Sequence, residues 1–128
     1  MYDNSVRLIG FLGQNAEKRI ARNKTPYVIL NLATTVRWRN KESQEYLERT
    51  EWHRLIAWGN FAKFACTLKR GNHLFAEGEL RYRAIPDKEH PQARHKLAEI
   101  HLAKISKLDR GEQLTDELPA VQTDDQAA

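Results

Sequence analysis

Thr50-Glu51-Trp52-His53-Arg54-Leu55-Ile56-Ala57-Trp58-Gly59 (TEWHRLIAWG) runs straight into Asn60–Gly71 (NFAKFACTLKRG), and the change of rhythm at the junction decides the fold. Side chains alternate along a strand, so Trp52, Arg54, Ile56 and Trp58 share one face and His53, Leu55 and Ala57 the other. After Gly59 the apolar residues Phe61, Phe64, Ala65 and Leu68 fall at i, i+3, i+4 and i+7, the stripe of a helix. Asn60 is placed to cap that helix, and Gly71 follows the basic pair Lys69-Arg70 as its stop. A strand therefore feeds a helix.

Working outward, Val6 to Leu12 (VRLIGFL) reads as a strand, with Gly10 and Gly13 at bulge or turn positions and Glu17 to Ala21 as a short polar continuation. Asn23-Lys24-Thr25-Pro26 makes a turn, since Pro26 cannot donate to a ladder. Tyr27 to Trp38 is a long β-branched and apolar segment, with Val28, Leu30 and Leu32 on one parity. Arg39 to Glu48 reads as a polar loop. His73 to Arg83 is a strand broken at Gly78, Ala84 to Ala93 is a loop containing Pro86 and Pro91, and Arg94 to Leu108 is the last strand. In that strand Ala98, Ile100 and Leu102 alternate with Glu99, His101 and Ala103. The chain is thus all-β with one helix: a five-stranded Greek-key barrel of the OB type, the helix between strands 3 and 4. Such a barrel buries one face of each strand and leaves the other free.

The 128 residues suit one domain. It is expected over residues 1–108, followed by an acidic, disordered tail over residues 109–128, where apolar content falls and periodicity ends. Residues 1–108 hold 20 basic and 11 acidic residues, a net of +9; from Asp109 onward six acids face Arg110 alone, a net of −5. A basic body suggests a polyanion ligand, although surface lysines also serve solubility. Apolar runs are short and the N-terminus has no basic-then-apolar pattern, so neither a membrane span nor a signal peptide is read, and the expected compartment is cytoplasmic. The single cysteine, Cys66, excludes an internal disulfide; no cofactor or metal is expected.

The candidate chemistry is aromatic rings interleaved with cations. Arg54 lies between Trp52 and Trp58; Arg37-Trp38-Arg39 with Lys41 supplies the combination again, and Arg81-Tyr82-Arg83 a third time. Unpaired bases expose faces that an indole can cover, whereas duplex bases are already stacked, so this pattern favours single strands. Arginine and lysine add sequence-independent, salt-sensitive contacts to phosphates. The bland alternatives stand beside this: a tryptophan is usually largely buried, and Arg54, Arg81 and Arg83 can pair with Glu51, Glu77 or Glu79.

Val6–Arg19 (VRLIGFLGQNAEKR), Asn31–Lys41 (NLATTVRWRNK), Thr50–Gly59 (TEWHRLIAWG) and Leu74–Arg83 (LFAEGELRYR) resemble, in order, segments of the bacterial single-stranded DNA-binding (SSB) family. The resemblance covers residues 4 to about 108, and TEWHR followed by EGELR is its specific part. It implies an OB fold that forms a homo-oligomer, a tetramer before a dimer, and binds single-stranded DNA in replication, recombination and repair, on the bacterial nucleoid. It also implies stacking at Trp38, Trp52 and Trp58, basic contacts at Arg37, Lys41, Arg54, Lys69, Arg81 and Arg83, with Arg39 added from its place beside Trp38, and a subunit contact at His53. A histidine satisfied within its own subunit is the other reading of His53.

Three departures bear on function. Ile85 stands where the family often has another tryptophan, with Tyr82 as a substitute; the helix is about one residue short. The end, Thr123-Asp124-Asp125-Gln126-Ala127-Ala128, lacks the apolar tip that docks replication and repair proteins, which argues against recruitment through the tail. Two rival functions remain: a primosome-type replication adaptor on the same fold with weaker single-strand binding, and an OB-fold nuclease. For the nuclease the candidates are Glu77, Glu79, Asp87, Glu89, His53, His73, His90 and His95, without a nucleophile–base or ligand spacing among them. No catalytic role is expected.

Overall fold

The computed structural model describes residues 1–109. Its elements are β1 (Val6–Leu12), β2 (Glu17–Ile20), β3 (Pro26–Arg39), β4 (Tyr46–Trp58), α1 (Gly59–Ala65), β5 (His73–Pro86) and β6 (Arg94–Lys107). The sheet runs β1-β5-β6-β4-β3-β2, and a further β1–β3 pairing at Phe11↔Ala33 and Leu12↔Leu32 closes it. Five strands thereby form a barrel, with β2 as the short extension expected after β1. The β4–β6 contact is parallel, at Leu55↔Ile100 and Ile56↔His101, while the other ladders are antiparallel.

The alternation read from the sequence sets the core. Leu55 and Ala57 of β4 are fully buried against Val28, Leu30 and Leu32 of β3, Leu74 and Ala76 of β5, and Ile100 and Leu102 of β6. Each large apolar side chain so enclosed stabilises the fold by about 1.5–3 kcal/mol. Ala62 and Ala65 of α1, with Leu68 just beyond it, close one end of this core.

The helix is shorter than its apolar stripe suggests, seven residues rather than the span to Gly71. Gly59 takes a φ of +59° to turn the strand, so the helix starts before Asn60, and no side chain caps it. After Ala65 the chain is drawn to the barrel: Leu68 O accepts from Ala16 N–H (3.2 Å), the Asn15 side chain accepts from Arg70 N–H (2.9 Å), and Gly71 N–H donates to Leu12 O (2.9 Å). Such a short helix has little stability of its own and persists through this packing.

The polar loop read from Arg39 to Glu48 is narrower in the structure, residues 40–45, because Arg39 belongs to β3 and Tyr46, Leu47 and Glu48 to β4. β3 and β4 pair without interruption from Tyr27↔Trp58 to Arg39↔Tyr46. Beyond Ala33 and Trp52 they leave the barrel as a two-stranded ribbon, held by cross-strand pairs such as Thr35–Thr50 (2.9 Å) and Arg37–Glu48 (3.0 Å). At its tip the Asn40 side chain accepts from Glu42 and Ser43 N–H. β5 and β6 form a second arm that reaches Pro86↔Arg94, three residues past the expected strand end at Arg83. Asp109 is tied to the barrel, accepting from His73 N–H (2.8 Å) and from Asn72 Nδ2 (3.1 Å). The rest of the expected acidic tail lies outside the described residues.

Candidate nucleic-acid interface

On the outside of the barrel, β4 presents Trp52, Arg54, Ile56 and Trp58, as alternation requires. Across β3 they meet Ala33, Asn31, Ile29 and Tyr27; on the other side β6 contributes Glu99 and His101, and β5 contributes Arg81 and Arg83. Trp52 is 61% exposed, and its indole lies on Gly13, where any added side-chain carbon would collide with the ring. Trp58 is half-buried, its ring 4.8 Å from that of Tyr27. The two tryptophans are six positions apart, about 20 Å along the strand.

Between them lies a tied set of polar side chains. Glu99, only 4% exposed, accepts on Oε2 from Arg54 Nε (3.0 Å) and from an Nη of Arg83 (2.9 Å). Its Oε1 lies 3.5 Å from His101 Nε2, and Trp58 Nε1–H donates to His101 Nδ1 (3.2 Å). His101 is therefore neutral with its proton on Nε2, toward Glu99. Burial lowers the His101 pKa, and the nearby Arg81 charge adds to this. Burial alone would raise that of Glu99, but the hydrogen bonds and charges of Arg83 and Arg54 prevail and hold it below the usual carboxylate range. A cleft of about 410 Å³ over this set is lined by Tyr27, Ile56, Trp58, Arg83, Glu99 and His101, with Ile20, Ala21 and Arg22 at its rim.

Along the ribbon, Arg37 and Arg39 share the Trp52 face, paired with Glu48 and set over the Tyr46 ring (5.5 Å). Trp38, 42% exposed, falls on the opposite face with Val36 and Leu47. The triplet Arg37-Trp38-Arg39 thus lies wholly in β3, Arg39 included, and it divides between two faces. Lys41 is exposed at the tip, and Lys69 lies off the β-surface, in the segment after α1. Arg81 pairs with Glu79 (2.7 Å), one of the alternatives read from the sequence; Arg54 and Arg83 pair with Glu99 instead. His53 Nε2 lies 2.8 Å from Thr34 Oγ1, a partner within its own subunit.

The carboxylates and histidines weighed for catalysis are dispersed. Glu77 meets Ser5, Glu79 meets Arg81, and Asp87 meets His95. Among the described residues no three His, Cys, Asp or Glu gather as a metal site. Sequence reasoning did not single out Tyr27, Tyr46, Glu99 or His101. The outward parity of Glu99 and His101 was legible; their nearness to β4 was not.

Residues 3–108 match the model of the single-strand binding protein family. Single-stranded DNA-binding protein 1 of Xylella fastidiosa is 39% identical over 87 residues, which cover 67% of this chain and 64% of that protein's length. An SSB of Plasmodium falciparum, solved in complex with single-stranded DNA, has the same fold: TM-score 0.73 at 23% identity, over 85% of this chain and 97% of that one. A deletion variant of the single-stranded DNA-binding protein of Thermus aquaticus superposes with a TM-score of 0.66 at 26% identity, over 83% of this chain and 50% of its own. With an OB barrel, an outward row of indole and guanidinium groups, and a family match over most of its length, the chain belongs to the single-strand binding protein family.

Proposed function

We propose that residues 1–108 bind single-stranded DNA without base-sequence preference and protect it during replication, recombination and repair. The observation that carries this reading is Trp52: a large ring, 61% exposed, seated on Gly13 at the root of a ribbon with arginines on the same face. A monomeric protein gains nothing in stability from holding an indole in water, whereas an unpaired base gains a stacking surface there. In this reading Trp38, Trp52 and Trp58 stack bases, and Arg37, Arg39, Lys41, Arg54, Arg81 and Arg83 meet phosphates. Lys69 can reach only a strand that continues past the barrel end. Because Trp38 and Trp52 occupy opposite faces of the ribbon, a strand that stacks on both must pass around it.

The active form is a homo-oligomer in the bacterial cytoplasm, on the nucleoid. β1 pairs with β5 on one side and, among the described residues, finds no partner for Val6–Gly10 on the other, while Ile9, 55% exposed, stands beside Phe11 and Phe75 on the outer surface. An open edge and a separate apolar face give two kinds of self-contact, which favours four copies over two.

Fluorescence anisotropy of labelled oligo-dT at two salt concentrations, with duplex competitor and light scattering in parallel, tests this. The expected result is tight binding that weakens with salt, poor competition by duplex, and a mass near four times 14.9 kDa. Weak binding by a smaller species would instead indicate an adaptor.

A further inference from the structure

Glu99 is an anomaly on a surface meant to receive a polyanion. It is an acid at the centre of the proposed DNA face, and its charge opposes phosphate. Its side chain is 5% exposed, whereas those of Arg54 and Arg83 are 28% and 53% exposed. We propose that Glu99 is a positioning residue for DNA binding, the anchor that holds two guanidinium groups and the Trp58 indole in their binding orientation.

The geometry supports this from three directions. Arg54 is held through Nε, the nitrogen nearest its stem, so both terminal amino groups stay free to donate to phosphates. Arg83 is held through one terminal nitrogen and keeps Nε and the other for ligand. Through His101, whose Nε2 lies 3.5 Å from Glu99 Oε1 and whose Nδ1 accepts from Trp58 Nε1–H, the same carboxylate fixes the edge of a stacking ring. Arg54, Arg83 and Trp58 come from β4 and β5, while Glu99 and His101 come from β6. One buried anion thus aligns groups from separate strands before DNA arrives. Long arginine side chains otherwise lose considerable freedom on binding, and prior alignment removes part of that cost. The cluster still leaves two cations against one anion, so phosphate remains attracted.

This inference rests on the DNA-binding reading, and its test separates the two. Removing the negative charge should tighten DNA binding if Glu99 acts only by its field; it should weaken binding if Glu99 acts by position. Glu99→Gln is therefore expected to bind oligo-dT about tenfold more weakly than wild type at fixed salt, despite a more positive surface. Glu99→Asp keeps the charge and shortens the reach, so it should weaken binding as well, and it carries the test if the Gln variant does not fold. In an Arg54→Ala, Arg83→Ala background, Glu99→Asp should have a clearly smaller effect, confined to what Trp58 loses through His101, which a merely structural role would not produce. Tighter binding by Glu99→Gln with unchanged binding by Glu99→Asp would overturn the inference, as would an equal loss in the double-alanine background. Failure of the wild type to bind oligo-dT would instead overturn the reading of the face.

Discussion

The two halves of β4 are one strand with two regimes. From Arg54 to Trp58 it is barrel wall, where Ile56 is 2% exposed and the polar groups are tied to Glu99 and His101. From Tyr46 to Trp52 it is ribbon, where Tyr46 is 70% and Trp52 61% exposed and neighbours come mainly from β3. The difference lies in which strands flank β4. Next to β6 its outer side chains gain partners and a fixed arrangement; past the barrel they keep freedom to follow a flexible ligand. Wall substitutions should thus change stability, and ribbon substitutions should change binding alone.

Ile56→Ala gives the largest expected effect, a loss of about 2–5 kcal/mol in unfolding free energy by urea titration. An unchanged midpoint would dissolve the distinction between wall and ribbon. Trp52→Ala should leave that midpoint in place and weaken oligo-dT binding by about 1–3 kcal/mol, a magnitude known from single-strand binders of this class. Trp38→Ala should match it only with oligonucleotides long enough to round the ribbon; equal loss with short ones would place both rings on one path.

The wall should also carry the acid sensitivity. Folding depresses the pKa of both His101 and Glu99, so the unfolded chain binds more protons and stability falls as pH falls. Their contributions are complete above the ordinary values of 6.5 and 4.5, and are lost as pH drops through the lower folded values, His101 first. Melting at stepwise lower pH checks this; stability that rises below pH 6.5 would contradict it. Glu48→Gln, which breaks only the exposed ribbon pair with Arg37, should change stability by less than about 1 kcal/mol.

What could be read from the sequence was local. Strict alternation in TEWHRLIAWG put Trp52, Arg54, Ile56 and Trp58 on one face and His53, Leu55 and Ala57 on the other, because a strand's side-chain period is fixed whatever it packs against; the burial of Ile56 on the outer face depends on neighbours that the stretch does not contain. The ribbon runs further than was read, to Arg39 and back from Tyr46, because its outer pairing rests on exposed polar partners, Arg37 with Glu48 and Arg39 over Tyr46, and not on an apolar stripe. The helix end was misplaced because bonds from Asn15 and Ala16, some fifty residues earlier in the chain, draw the segment away. Glu99 escaped notice for a similar reason: it meets Arg54 across 45 positions, through a parallel pairing that no short pattern encodes.

Intrinsic tryptophan emission, followed as oligo-dT is added, tests the central claim most directly. Exposed rings that receive bases should be strongly quenched to saturation, with a midpoint that moves to higher DNA concentration as salt increases, and Trp52→Phe should remove part of the quench. Emission unchanged at saturating DNA would mean that the indoles do not meet the strand.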